Sequence, residues 1–98
     1  MRSLTYLKKR LRKKLKKAKA KLVLRHPKAK NEIDRIAREL REALDSVKSY
    51  NDLLRFYELV EEAEKRVQGF RVLKPSPRLY VELLERSFPA KMRGRQHN

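Results

Sequence analysis

Arg2, Lys8, Lys9, Arg10, Arg12, Lys13, Lys14, Lys16, Lys17, Lys19, Lys21, Arg25, Lys28 and Lys30 put fourteen cations into the first thirty residues, with no aspartate or glutamate among them. The other sixty-eight residues hold fourteen basic and twelve acidic side chains, so +14 of the chain's +16 is concentrated at one end. Charge packed this densely repels itself unless a polyanion neutralises it. The chemistry open to such a set is the binding of phosphate. Lysine outnumbers arginine ten to four here. Lysine meets phosphate as a point charge, whereas bidentate base reading favours arginine, so a backbone binder with little sequence preference is expected.

Three further features could add to that chemistry. Tyr6 stands among the cations, where it could stack on a base or sugar or simply pack near the chain start. Arg93-Gly94-Arg95 resembles the flexible basic segments that touch nucleic acid, and Arg93 and Arg95 join the expected contact set. Arg71, Lys74 and Arg78 could make a second phosphate patch or an ordinary surface.

Catalysis is not expected. His26 and His97 stand far apart, each without ligands at metal-site spacing, and no cysteine is present. Two distant glycines cannot form a phosphate-cradling loop. Glu58, Glu61, Glu62 and Glu64 read as a helix face beside Lys65 and Arg66. Neither a metal nor a cofactor is expected.

The elements that must carry these residues are helical. Leu4, Leu7, Leu11, Leu15, Ala18 and Leu22 recur at spacings of three and four and repeat every eleven residues. That period suits a nearly straight helix. About twenty-three residues of helix span roughly 35 Å, close to one turn of B-DNA. The leucine line Leu4, Leu7, Leu11, Leu15 and Leu22 needs a protein surface, either the rest of the chain or another subunit. Seven like-charged pairs four residues apart, such as Lys9/Lys13 and Lys17/Lys21, oppose an isolated helix by roughly 1.5–3.5 kcal/mol in total. The arm alone is therefore expected to be unfolded and to become helical on a polyanion.

His26-Pro27 interrupts this segment. A second helix is predicted from Pro27 to about Lys48, with Ile33, Ile36, Ala37, Leu40, Ala43, Leu44 and Val47 as its stripe. Asp34/Arg38, Arg35/Glu39, Arg38/Glu42 and Arg41/Asp45 are its expected pairs. A third follows Ser49 as N-cap, with Leu53, Phe56, Tyr57, Val60, Ala63 and Val67 inward and Glu61/Lys65 and Glu62/Arg66 outward. Gly69 suits a left-handed C-terminal cap, with Phe70 as its apolar contact. A short extended link, 70–75, leads to Ser76-Pro77 and a last helix to about Ser87. Phe56, Tyr57, Phe70, Tyr80 and Phe88 are expected in the core.

The expectation is an all-α protein with three parts: a basic nucleic-acid-binding arm, 1–30; a small helical body, 31–88, made of a hairpin over 28–68 plus a helix over 77–87; and a flexible basic tail, 89–98. Its expected role is structural, coating or packaging DNA or RNA as a viral or chromatin-like nucleoprotein. A ribosomal or ribosome-associated RNA-binding protein is the alternative, and a membrane-surface or protein-interaction module a further one. Self-association or membership of a larger assembly is expected, because residues 31–66 carry a net −3 that could receive a neighbour's cations. No stretch of about eighteen apolar residues spans a membrane. The chain lacks a recognisable secretory signal, and a place inside a cell or a virion is expected. Charged residues at 41% with few Asn and Gln resemble thermophile usage.

Overall fold

The structure is a computed structural model that describes residues 3–87. Arg2, Phe88, Arg93 and Arg95 lie outside the described residues. Among those described there are four α-helices and no strand, so the chain is all-α. The helices are α1 (Leu4–Arg25), α2 (Lys30–Asp45), α3 (Tyr50–Arg66) and α4 (Pro77–Ser87). Single turns of 3-10 helix, Pro27–Ala29 and Phe70–Leu73, lie in the α1–α2 and α3–α4 joints.

Three of the four helices, α1, α3 and α4, begin where a serine side chain takes up an unpaired backbone N–H. The Tyr6 amide donates to Ser3 Oγ at 3.2 Å, Asp52 to Ser49 Oγ at 3.1 Å, and Leu79 to Ser76 Oγ at 3.2 Å. Asp52 returns the favour by accepting from the Lys48 amide at 3.0 Å. Proline delays α2: Pro27 enters a 3-10 turn, and the α-helix starts three residues later than the stripe suggests.

Two joints differ from expectation. The end of α3 is not capped by a left-handed glycine. Val67 caps it in extended conformation, and the amides of Gly69 and Phe70 both donate to Glu64 Oε2 at 2.9 Å. Gly69 has φ 141° and ψ −11°, away from the left-handed helical region yet closed to ordinary L-residues. The link after it is not extended, because Phe70–Leu73 coils into a 3-10 turn. That turn points both Phe70 and Leu73 into the core, where they are fully buried.

The core is one continuous cluster. Leu7, Leu11, Leu15, Ala18 and Leu22 of α1 join Ile33, Ile36, Leu40 and Leu44 of α2 and Leu53, Phe56 and Val60 of α3. Phe70, Leu73 and Leu83 close it. Burying a leucine is worth about 1.5–3 kcal/mol, so α1 is held by several such contacts. The cover for the leucine line thus comes from the chain itself, with Leu4 half-buried at its end. An arm that folds only on its ligand is replaced by a helix docked on its own body. Tyr80 departs from the expected core set, being 45% exposed.

Helices α2 and α3 form the antiparallel hairpin. Arg66, at the end of α3, reaches Glu32 in the first turn of α2 at 3.7 Å and Glu39, near its middle, at 3.9 Å. Helix α1 runs antiparallel to α2 on its other flank, since Arg12 meets Asp45 and Lys19 meets Asp34.

Candidate nucleic-acid interface

Helix α1 carries eleven cations and no acid in 22 residues, about 33 Å of helix. Docking divides them into two groups. One group faces α2 and holds the helix in place. Lys8 Nζ donates to the Val47 carbonyl at 2.7 Å and more weakly to that of Asp45 at 3.4 Å. These are carbonyls at the C-terminal end of α2, where a cation is favoured by the helix dipole. Arg12 Nε donates to Asp45 Oδ1 at 3.0 Å, and Arg41 approaches the same carboxylate at 3.3 Å. Lys19 lies 3.7 Å from Asp34, which also accepts from Lys30 at 2.7 Å.

These cations act on the acids they meet. The Lys30 hydrogen bond, with Lys19 beside it, holds the Asp34 carboxyl below its ordinary value. The Arg12 hydrogen bond, supported by Arg41, does the same to Asp45. Lys8, Arg12, Lys19 and Lys30, all expected to meet phosphate, are therefore engaged within the chain.

The second group makes no ion pair within the described chain. Lys9, Lys13, Lys16, Lys17, Lys21 and Arg25 are exposed, and among the described residues none has a carboxylate partner. Lys28 continues this exposed set beyond α1. Arg10 places its guanidinium 6.0 Å from the Tyr6 ring centroid, and Tyr6 is half-buried against the core. Lys14 is half-buried, in a shallow cleft with Arg10, Tyr6 and Ser76. Six cations are thus exposed along one helix, over an acid-free length, and two of them, Lys13 and Lys16, also border the cleft between α1 and α2.

The other expected patches are weaker. Lys74 is bonded to Glu61 at 3.1 Å and Arg78 lies 3.8 Å from Glu82, leaving Arg71 as the exposed member of that trio without an ion pair. The acids of α3 do not act together, because Glu64 ties the 69–70 turn, Glu61 takes Lys74 and Glu62 takes Lys65. A cleft between α3 and α4 has an apolar floor of Leu54, Tyr57, Tyr80 and Leu84. Its rim of Arg55, Glu58, Glu61 and Lys74 is electrically balanced and offers nothing to a polyanion.

Sequence reasoning missed the cross-helix pairs. The i,i+4 rule named Arg41/Asp45, which forms, but gave Asp34 to Arg38. Asp34 instead turns to Lys30 and Lys19. The unopposed charge of α1 was a signal that the nearest acids would be drawn to it.

No group of three His, Asp or Glu side chains gathers at metal-binding range among the described residues. No helix there is long and apolar enough to cross a membrane. No protein-family model matches the chain, and neither does any curated protein or solved structure.

Proposed function

We propose that this chain is a structural nucleic-acid-binding protein that coats or packages DNA or RNA through backbone phosphates, with little regard for sequence. The observation that carries this reading is the set Lys9, Lys13, Lys16, Lys17, Lys21 and Arg25 on α1, exposed and without carboxylate partners among the described residues. Fixed cations on a straight helix suit a regular line of phosphates. The buried leucine line favours this reading over a membrane-surface helix, which would need that apolar face for lipid. Exposed acids on the hairpin, Glu39, Glu58 and Glu62, would turn away from the polyanion and toward the cations of a neighbouring copy, supporting assembly in many copies.

The test is the salt dependence of duplex binding by the intact chain. With six exposed cations engaged, the logarithm of the binding constant falls against the logarithm of salt with a slope near about −5 on B-DNA. A slope near zero removes the reading. Purification without nuclease then identifies the polymer: DNA-bound particles support packaging, whereas stoichiometric ribosomal RNA would move the chain to the ribosome.

A further inference from the structure

Between α1 and α2 lies an open cleft whose floor is Leu15 and Ala37. Its walls hold Arg12, Lys13, Lys16 and Lys19 from α1 and Arg38 and Arg41 from α2, against two acids, Asp34 and Glu42. The ion pairs are placed at its ends. Arg12, Arg41 and Asp45 close one end; Lys19, Lys30 and Asp34 close the other. Between them Lys13, Lys16 and Arg38 line the cleft, and none of the three has an ion-pair partner among the described residues. Glu42 borders the same cleft but forms no salt bridge with Arg38 four residues before it, so the cleft keeps a net positive charge.

Three exposed cations on two facing walls raise the positive potential of the cleft between them. A trivial solution was within reach, because Glu42 stands one turn from Arg38 and could have bonded it. The clamps are about seven residues apart on α1, or roughly 10 Å, which leaves room for a phosphate group between them. Arginine adds what lysine lacks, a planar fork that can grip two phosphate oxygens at once.

We infer that the α1–α2 cleft is a phosphate site in which Lys13, Lys16 and Arg38 hold one phosphodiester of a nucleic-acid strand. This rests on the nucleic-acid reading above and deepens it. The body then shares in binding: α2 supplies Arg38, and the strand touches the seam of two helices as well as the exposed cations of α1.

The test uses the intact chain, a fluorescent duplex of about twenty base pairs as DNA and as RNA, and anisotropy over a range of salt. Arg38→Ala removes one exposed charge from the cleft, and Arg55→Ala removes one exposed charge from α3, away from it. Loss of one phosphate contact lowers the salt slope by about 0.9 and weakens binding roughly five- to tenfold at about 0.1 M salt. That loss is expected for Arg38→Ala and not for Arg55→Ala, with Arg38→Lys keeping most of the slope. Circular dichroism checks that each variant stays folded. If Arg38→Ala binds like Arg55→Ala while Lys9→Ala/Lys17→Ala is weakened, the cleft inference is overturned and the nucleic-acid reading stands. A wild-type slope near zero overturns both. An Arg38 requirement seen on phosphatidylserine vesicles and absent on nucleic acid overturns the cleft inference in favour of lipid.

Discussion

Replacing Gly69 by alanine should loosen α1, although Gly69 belongs to the turn after α3. A methyl group built there overlaps Leu22 Cδ2 and sits 2.8 Å from Leu22 Cγ and 3.0 Å from Cδ1. Leu22 is 2% exposed, so it has little room to swing aside. The backbone adds its own penalty, because φ at Gly69 is 141°. Strain of that kind costs about 1–3 kcal/mol, and overpacking a filled core costs about 1–3 kcal/mol more. A loss of about 2–6 kcal/mol is expected for Gly69→Ala, a large share of the net stability of a domain this small. Leu22→Ala alone should also cost about 2–5 kcal/mol. The double variant is the informative one. Truncating Leu22 removes the atoms that clash, so the two losses should fall short of adding by about 1–3 kcal/mol. Guanidinium unfolding followed by circular dichroism measures all three. A neutral Gly69→Ala, or losses that add to within about 0.5 kcal/mol, would mean that Leu22 does not lie over this turn, and the docking of α1 described above would be wrong.

Four other outcomes follow from the same contacts. Asp45→Asn should lower stability slightly, by about 0.2–1 kcal/mol for an exposed pair, yet tighten nucleic-acid binding by freeing Arg12; weaker binding would count against the engaged role of Arg12. Asp34, Asp45 and Asp52 all have carboxyls lowered from the ordinary 3.8, so their contribution is present above that value and is lost as pH falls through their folded values, which thermal melts below about pH 4 should register. The Tyr57 phenol is pushed up to about 12 by burial, so stability should decline above pH 10 as the unfolded state ionises first, and the late tyrosinate absorbance should vanish in Tyr57→Phe. A peptide of residues 3–30 should show little helix in water, since it leaves its cover behind, whereas the intact chain keeps α1; a strongly helical free peptide would remove the argument from like-charge repulsion.

Local rules made much of the fold legible. Ser49 and Ser76 cap the helices they were expected to cap, because an N-cap needs only a hydroxyl three residues before an amide. The leucine line of α1 was readable because burial follows a period. What covers that line was not readable, since nothing in residues 1–30 distinguishes the chain's own body from a second subunit. The same gap hid the fates of Asp34, Asp45 and Lys8. Their partners are 15, 33 and 39 residues away, a separation at which pairing is decided by helix register and crossing. Gly69 was recognised as special but given the wrong geometry, because Glu64 supplies the acceptor that a left-handed cap makes unnecessary. The cleft of Lys13, Lys16 and Arg38 draws on two helices and became visible only once those helices were in place.

The placement of α1 on one flank of α2 and α3 on the other also separates charge across the molecule. One flank shows lysine after lysine; α3, on the other, exposes Glu58, Glu61 and Glu62. Such a body should carry a permanent electric dipole fixed in its frame by the shared core. Near a charged polymer it experiences a torque as well as a pull, and it turns its cationic flank forward before contact. Fewer collisions are then wasted on the wrong side. Added salt should slow arrival as well as hasten departure, and the electric moment should be measurable on the isolated protein as orientation in an applied field.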